Sequence, residues 1–307
     1  MKLKKSFALA LLVALVTCVL SLTGCGLPSL GGNGQRDLVD NTGTHVSVPK
    51  TPSRIISVGA ATDDIILSLV DPNRVVAISG TANNVPNQSA QVQGRVKSSV
   101  ESVVSFNPDL VIIPDYVGSD VIQSLRDSGL PVYVYVVPRS IKESEELILN
   151  LGDLVNATDK SKALVEDMDA KVESIKKSTS RFTPQKSVAY MTATGLTGGT
   201  GSVFDDMTHY VHFKNVASAL GYTQYVNGSR EDVIAYNPDV IIVPTNDYSS
   251  PNKPDTTVDD IMNDPAFAHV TAVREGQVYQ IDAKPLMTYS QYMVDAMDTL
   301  AHDLYGY

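Results

Sequence analysis

A fourteen-residue pattern occurs twice in the chain and constrains the fold more than any other feature. Residues 101–114 read ESVVSFNPDLVIIP and residues 231–244 read EDVIAYNPDVIIVP, so that seven positions are identical at an offset of 130. A turn such as Asn-Pro-Asp commonly precedes a strand, but that preference does not explain the shared first Glu and last Pro. The repeat therefore predicts two similar lobes, each containing a helix, a turn and a strand.

Apolar runs alternate with short helical segments around the first copy of the repeat. The candidate strands here are residues 55–58, 74–78, 110–113 and 132–137. Continuous apolar strands separated by helices are typical of a parallel sheet that is covered on both faces. One helix is expected to begin at Thr62, a residue type that caps helix N-termini, with Asp63 and Asp64 in its first turn.

The stretch from residue 141 to residue 180 has a different pattern. It contains no strand candidate, and its apolar residues recur at helical spacing. We expect two helices here, or one long helix that breaks near residues 156–158. The sequence thus predicts an α/β fold with a first lobe over 38–140, a helical connector over 141–180 and a second lobe over 181–307.

The first 24 residues have the composition of a secretion signal. Three lysines precede an apolar run over residues 7–22, followed by small residues. Such a basic start and short apolar run indicate a cleaved leader, because a membrane-spanning helix needs roughly 20 apolar residues. We therefore expect residues 1–24 to be a signal peptide.

Residues 22–25, which span the end of the leader, read LTGC and resemble the bacterial lipobox. In that motif the Cys is diacylated and becomes the new N-terminus, so Cys25 is the predicted lipidation site; an ordinary secretory signal cut nearby is the alternative. The Gly-rich residues that follow predict a flexible tether over 25–37. Because Cys18 lies in the leader, the folded body has no thiol, which excludes disulfides, zinc–thiolate sites and cysteine nucleophiles.

The charge of the body argues against a nucleic-acid partner. Without the leader, the chain carries 21 scattered basic residues and 34 acidic ones. Binding to phosphates requires a clustered basic face. The sequence therefore predicts a folded, acidic protein that does not bind nucleic acid.

From about residue 38 to its end, the chain resembles bacterial ABC-transporter substrate-binding lipoproteins for ferric siderophores, haem and cobalamin. The matching segments are PSRIIS at 52–57, both copies of the repeat, GSVFDD at 201–206 followed by NVA at 215–217, and AVREGQVY at 272–279. The resemblance implies two doubly wound lobes joined by a long rigid helical connector, with a ligand cleft between the lobes. It also implies an ABC permease and its ATPase as partners.

Candidate ligand-binding residues lie in the loops after the predicted strands, where doubly wound sheets bind ligands. Large planar or chelated ligands need aromatic walls and a few polar anchors, and without Trp the walls must come from Tyr and Phe. Arg139 is the best-placed cation for an anionic chelate, and for any single tyrosine a packing or surface role is the alternative. The predicted residues are Thr62, Asn84, Tyr116, Arg139, Thr194, Thr197, Phe204, Tyr248, Tyr289 and Tyr292.

The resemblance also implies one acidic residue on each lobe that docks onto arginines of the permease. Glu101 and Glu231 occupy the same position of the repeat and are the candidates. Paired charges at an interface set register and association rate. The alternative is a glutamate at a helix start, favoured by the helix dipole.

An extracytoplasmic enzyme is the competing class, and the sequence disfavours it. The chain has no Gly-x-Ser-x-Gly nucleophile elbow. Adjacent acids such as Asp63 and Asp64 diverge on a helix and cannot face each other as an acid–base couple, so a helix-start role explains them better. The Gly-rich residues 195–202 match neither a phosphate-binding loop nor a dinucleotide fingerprint.

No resident metal site or cofactor is predicted. His209 and His212 are three residues apart and can share a helical face. With no third nearby His and no carboxylates at ligand spacing, an ordinary helix surface is the better interpretation.

The sequence therefore predicts a lipid-anchored, monomeric solute-binding protein at the extracytoplasmic face of a bacterial cell membrane. Its expected ligand is a metal chelate, with a ferric siderophore ahead of haem and cobalamin. A rigid connector predicts a small closure on binding. The alternative is a lipoprotein of the same fold that binds a partner or another ligand.

Overall fold

The computed structural model describes residues 34–80, 84–245 and 256–306. It opens with a two-stranded sheet of β1 (Gln35–Val39) and β2 (His45–Pro49). The predicted leader, Cys25 and residues 25–33 of the predicted tether lie outside the described residues, whereas residues 35–37 belong to β1. No helix within the described ranges has both the length and the apolar character needed to cross a bilayer.

The first lobe is built on a five-stranded parallel sheet. Its strands are β3 (Ile55–Ser57), β4 (Val75–Ile78), β5 (Gly94–Arg95), β6 (Leu110–Pro114) and β7 (Val132–Tyr135). Its helices are α1 (Ala60–Leu69), α2 (Pro86–Ser89), α3 (Val100–Val104) and α4 (Ser119–Asp127). In the order β5-β4-β3-β6-β7 the chain moves outward from β3 and then returns beside it, which places a topological switch point between β3 and β6.

The connector consists of two helices, α5 (Ile141–Leu154) and α6 (Thr158–Thr179). The chain breaks between them at Asn156, whose φ of +59° is left-handed. The two helices approach closely at Gly152, where a Cβ would lie 2.0 Å from the Ser161 hydroxyl. The predicted pair of helices with a break near residue 156 is confirmed.

The second lobe repeats the architecture of the first. Its strands are β8 (Ser187–Thr192), β9 (Gly195–Thr197), β10 (Lys214–Asn215), β11 (Val240–Thr245) and β12 (Val278–Asp282). Its helices are α7 (Val203–Tyr210), α8 (Val216–Ala219), α9 (Arg230–Tyr236), α10 (Val258–Met262), α11 (Thr271–Arg274), α12 (Ala283–Met287) and α13 (Tyr292–Tyr305). The parallel order is β10-β8-β11-β12, with β9 antiparallel to β8, so the switch point lies between β8 and β11.

The two copies of the repeat form equivalent units, α3 with β6 and α9 with β11. Asp109 accepts hydrogen bonds from the backbone N–H and hydroxyl of Ser53 at 2.8 and 2.9 Å, and Asp239 accepts them from Ser187 at 2.8 and 2.7 Å. The asparagine two positions earlier is left-handed in both copies, with φ of +46° and +59°. Each Asn-Pro-Asp turn therefore anchors the start of a neighbouring strand, which explains its repetition.

Successive residues of the central strands face two different cores. In β6, Leu110 and Ile112 pack into a core that also contains the connector, whereas Val111 and Ile113 pack on the outer face of the lobe. Strand β11 alternates in the same way. The α/β fold with two doubly wound lobes is confirmed, and a single inner core runs from the first lobe through the connector to the second.

Candidate ligand cleft

A cavity of about 690 Å³ lies between the two lobes, at the carboxyl ends of β6, β7 and β8. Its aromatic wall is formed by Tyr116, Tyr190, Phe204, Tyr225 and Tyr289. Its polar side chains are Asp115, Arg139, Thr192, Thr197, Ser202, Gln224 and Asn227. A largely apolar cleft with a few convergent polar groups has the character of a small-molecule site.

Phe204 is held in the cleft wall by its contacts with Tyr190 and Gly198. Its ring stacks on Tyr190 with 4.8 Å between centroids. Gly198 has φ +77°, and a Cβ there would lie 2.9 Å from the Phe204 ring. The Gly-rich residues 195–202 thus supply a left-handed turn and the space that this ring occupies.

The same wall is fixed by the buried carboxylate of Asp205. It accepts hydrogen bonds from Asn215 Nδ2 at 2.8 Å and from the Ser218 hydroxyl. Asn215 also donates to the Gly198 carbonyl at 2.8 Å, and Ser202 caps α7 by accepting from the Asp205 N–H. These contacts explain the sequence segments at 201–206 and 215–217, because they lock α7 to the glycine turn.

The cleft carries little charge. Of the described residues that line it, Arg139 is the one basic residue and Asp115 the one acidic residue. Arg139 Nη2 donates to the Tyr225 hydroxyl at 3.0 Å, and its guanidinium carbon lies 5.9 Å from the centre of that ring.

Tyr289 lines the cleft in a strained conformation. Its φ of +54° is left-handed, which for a residue other than glycine costs on the order of 1 kcal/mol. Burial raises the pKa of Tyr289, and the nearby Tyr116 raises it further. The Tyr289 phenol is therefore protonated at neutral pH and can donate a hydrogen bond.

Five of the ten predicted ligand-binding residues line this cavity, namely Tyr116, Arg139, Thr197, Phe204 and Tyr289. Thr194 lies behind the lining, where it hydrogen-bonds Thr192 at 2.8 Å and accepts from Asn227 at 3.0 Å. Tyr248 lies outside the described residues.

The other three predicted residues lie elsewhere. The Thr62 hydroxyl is fully buried inside α1, where it accepts a hydrogen bond from Ser57 at 2.8 Å. Asn84 donates across the lobes to the Thr288 hydroxyl at 3.3 Å. Tyr292 begins α13 and lines a separate cavity of about 300 Å³ beside α1 and α6. The prediction that Thr62 caps its helix is wrong, because α1 begins at Ala60 after Gly59.

Polar contacts between α1 and the segment before α13 tie the lobes together, and we call them the interlobe seam. Asp64 Oδ2 accepts from Asn84 Nδ2 at 2.6 Å and from the Ser290 hydroxyl at 3.2 Å. Gln291 Nε2 donates to the Ser68 hydroxyl at 2.8 Å. Asp64, Ser290 and Gln291 are buried, so this contact is shielded from water.

Asp63 and Asp64 are fully buried, which the helix-start interpretation did not anticipate. Burial raises the pKa of Asp63 to about 7, against hydrogen bonds from Ser79 and Ser57, and the Asp64 charge raises it further. Burial likewise raises the pKa of Asp64 to about 6, against the hydrogen bonds from Asn84 and Ser290.

The sequence profile of a family described as periplasmic binding protein matches residues 55–285. The chain belongs to this family. The resemblance drawn from the sequence is thereby confirmed at the level of the family, and the residues that line the cleft lie within the matched region except Leu286 and Tyr289.

Relatives of this binding protein span most of its length. It is 24% identical over 315 residues to YvrC, an ABC transporter substrate-binding lipoprotein of Bacillus subtilis (strain 168), with 95% of each chain covered. It is 26% identical over 211 residues to a cobalamin-binding protein of Halobacterium salinarum, covering 66% of this chain and 57% of that protein. Its fold is similar to that of the periplasmic haem-binding protein RhuT from Roseiflexus sp. RS-1, with a TM-score of 0.72, 22% identity, and 83% and 98% of the two chains covered.

The two candidate docking residues occupy equivalent places in this binding protein. Glu101 lies in the first turn of α3 and Glu231 in the first turn of α9, and both are exposed. The helices are capped by Ser99 and Ser229, so both acids sit at well-defined helix starts.

The two histidines do not share a helical face. Helix α7 ends at Tyr210, and His212 lies beyond it with φ +60°, beside Gln185 Nε2 at 3.2 Å. Within the described parts of the chain, no group of three or more His, Cys, Asp or Glu residues is arranged to hold a metal ion.

Sequence reasoning missed several lining residues. Tyr190 belongs to the predicted strand at 187–191, and its aromatic character at the strand's carboxyl end was the available indication. Gln224, Tyr225 and Asn227 lie in a segment without helical or strand periodicity, so no pattern in the sequence marked them.

Proposed function

We propose that this protein captures a metal chelate in the cleft between its lobes and delivers it to the permease of an ABC importer. The observation that carries the proposal is the cavity of about 690 Å³, which is walled by five aromatic rings and lies at the carboxyl ends of β6, β7 and β8. Binding and release account for the function, so it needs neither catalysis nor a cofactor.

The charges of the residues that line the cleft restrict the range of suitable ligands. One arginine and one carboxylate suit a chelate of low net charge better than a strongly anionic one. A ferric siderophore of low charge is therefore the first candidate. Haem is an alternative because Tyr116 and Tyr289 offer phenols as axial ligands. Cobalamin is another, supported by the relative named a cobalamin-binding protein and by amide groups at Gln224 and Asn227.

The place of action follows from the leader and the relatives. The lipobox supports diacylation of Cys25 and anchoring at the extracytoplasmic face, and the relative YvrC carries the name lipoprotein. We propose that the protein acts there as a monomer. Glu101 and Glu231 are the proposed contacts with the permease, which is driven by its cytoplasmic ATPase.

Tyrosine fluorescence gives a direct test, because the chain has 14 Tyr and no Trp. The purified lipoprotein in detergent is titrated with ferric desferrioxamine B, haemin and cyanocobalamin. Saturable quenching by one class, with a Kd in the micromolar range or tighter, supports the proposal. Quenching by none of them, in protein whose circular dichroism shows it to be folded, contradicts it.

Two matched variants show whether binding occurs in the cleft. Tyr116→Ala removes an exposed ring from the cleft wall, and Val104→Ala removes an exposed apolar side chain from α3. Neither is expected to disturb the fold, because both side chains are exposed. Only Tyr116→Ala is expected to weaken binding, by about tenfold for the loss of one aromatic contact.

A further inference from the structure

Arg139 and Tyr225 meet across the mouth of the cleft. Arg139 follows β7 in the first lobe, and Tyr225 belongs to the loop before α9 in the second. Their polar atoms are 3.0 Å apart, and the guanidinium lies over the tyrosine ring. Both residues are exposed, Tyr225 to 77%, so this contact, which we call the clasp, faces solvent.

The backbone that carries Arg139 is fixed on both sides. Its N–H donates to Glu143 Oε2 at 2.7 Å, and Ser140 caps α5 by accepting from the Glu143 N–H. Two residues after Arg139, Ile141 donates its backbone N–H to the carboxylate of Asp206 in the second lobe at 2.8 Å. The Arg139 guanidinium can therefore change partner by side-chain rotation alone, without movement of a lobe.

The loop that carries Tyr225 is also held in place. Thr200 accepts from the Gln224 N–H at 3.1 Å and donates its own N–H to the Tyr222 carbonyl at 2.9 Å. These bonds hold the backbone next to Tyr225, so the residue stays within reach of Arg139.

The clasp and the interlobe seam differ in a way that assigns them different roles. The seam contains buried groups, including Asp64 and Ser290, and opening it would break hydrogen bonds that are shielded from water, Ser290 to Asp64 and Gln291 to Ser68. The clasp joins a cation to a neutral hydroxyl in solvent, where water replaces either partner at little cost. The clasp is thus the interlobe contact that ligand entry can break.

Only an anionic group of a ligand binds Arg139 more strongly than Tyr225 does. A carboxylate or phosphate accepts two hydrogen bonds from a guanidinium and carries the opposite charge, whereas the tyrosine hydroxyl accepts a single bond and is uncharged. Arg139 is also the one basic residue among the described residues of the lining. A ligand without an anionic group leaves the clasp closed.

We propose that Tyr225 is a specificity-determining residue, which binds Arg139 until a chelate that carries an anionic group displaces it. This inference rests on the proposed function of the cleft. An anionic ligand must displace Tyr225 from Arg139, so Tyr225 lowers the affinity for such ligands. A neutral chelate binds while the contact between Arg139 and Tyr225 stays intact.

The first experiment needs no ligand. In the full chain labelled with ¹⁵N-arginine, the guanidinium signals of Arg139 are assigned by their loss in Arg139→Gln. A hydrogen bond to Tyr225 slows rotation of the guanidinium, so its signals are expected to be separate in the wild type and to merge in Tyr225→Phe. Identical signals in the two proteins would overturn the proposal, because Tyr225 would not hold Arg139.

The second experiment measures specificity with haemin, which bears two carboxylates, cyanocobalamin, which bears one phosphodiester, and ferric desferrioxamine B, which bears no free anionic group. Tyr225→Phe is expected to tighten binding of an anionic probe by about two- to fivefold and to leave ferric desferrioxamine B unchanged. In the Arg139→Gln background the same substitution is expected to have no effect, since the partner is absent.

A matched control and the contrary outcomes complete the design. Tyr236→Phe removes a hydroxyl from a ring that also lies near a cation, Lys214 at 5.6 Å, outside the cleft lining, and no change in affinity is expected. An equal effect of Tyr225→Phe on the probes with an anionic group and on ferric desferrioxamine B, or an effect that persists with Arg139→Gln, would overturn the inference. Failure of all three probes would count against the proposed function, while the ligand-free signals still decide whether Tyr225 holds Arg139.

Discussion

Replacing Asp63 by Asn is expected to remove part of the fall in stability that the wild-type protein shows between about pH 4 and pH 7, while the part due to the raised pKa of Asp64 remains. Asp63 has no exposed surface, and burial raises the pKa of its carboxyl from 3.8 to about 7. The folded protein keeps this proton up to about pH 7, whereas the unfolded chain releases it near pH 3.8. Because folding takes up a proton in this window, the free energy of unfolding falls as the pH rises through it.

The magnitude follows from the change in pKa. A difference of about three units, at roughly 1.4 kcal/mol per unit, gives a pH-dependent loss of about 4 kcal/mol. The hydrogen bond from the Ser79 hydroxyl at 2.5 Å favours the charged form and limits the rise. Asn has nearly the same size as Asp and does not titrate. Its direct effect on the free energy of unfolding is therefore the same at every pH.

Urea unfolding followed by circular dichroism at several values from about pH 4.5 to pH 7.5 measures the effect. The decisive quantity is the difference in free energy of unfolding between wild type and Asp63→Asn, which should change with pH in favour of the variant. Asp120→Asn, which removes an exposed carboxylate from the first turn of α4, controls for the loss of one negative charge. A constant difference at all pH values would refute the reasoning, since Asp63 would then bind no extra proton on folding.

Three further predictions concern packing and docking. Gly152→Ala should lower the free energy of unfolding in urea by about 1–3 kcal/mol, because its Cβ would lie 2.0 Å from the Ser161 hydroxyl; Ser161→Gly should recover part of the loss, and no recovery would argue against that contact. Phe267→Ala should cost about 3–5 kcal/mol in the same assay, since the ring is fully buried in the outer core of the second lobe, while the Kd for the chelate stays unchanged in folded protein. Glu101→Lys and Glu231→Lys should abolish cellular uptake of the chelate with unchanged affinity, and normal uptake would exclude the docking role.

Much of the fold was predictable because its pattern is local. The continuous apolar character of β6 and β11 follows from burial on both faces, and the sequence shows that character directly. The repeated Asn-Pro-Asp turn could also be recognised in the sequence, because its aspartate accepts hydrogen bonds from the start of a neighbouring strand in both lobes.

The start of α1 was predicted wrongly because its cause lies far away in sequence. Thr62 next to two acids is a good helix start by composition, yet the helix begins after Gly59. A Cβ at Gly59, where φ is +116°, would lie 2.2 Å from the Tyr135 hydroxyl. The position before the helix therefore requires a glycine because of its close approach to Tyr135 of β7, and no local pattern reveals that contact.

The cleft was predictable in position and only partly in composition. The rule that ligands bind beyond the carboxyl ends of strands placed Tyr116, Arg139 and Phe204 correctly at the lining. The same rule failed for Tyr292, because this residue already belongs to α13 and does not line the cleft. It also missed Tyr225, because the loop that contains Tyr225 has no periodic pattern.

The inner core that both lobes share also limits how this chain can be divided or can evolve. Ile65 of the first lobe, Leu151 of the connector and Met297 of the second lobe belong to one buried cluster. Either half expressed alone would expose its share of that cluster and is expected to aggregate. Both copies of the repeat contribute to this cluster, so a smaller side chain on either inner face leaves a void in a core that the two lobes share.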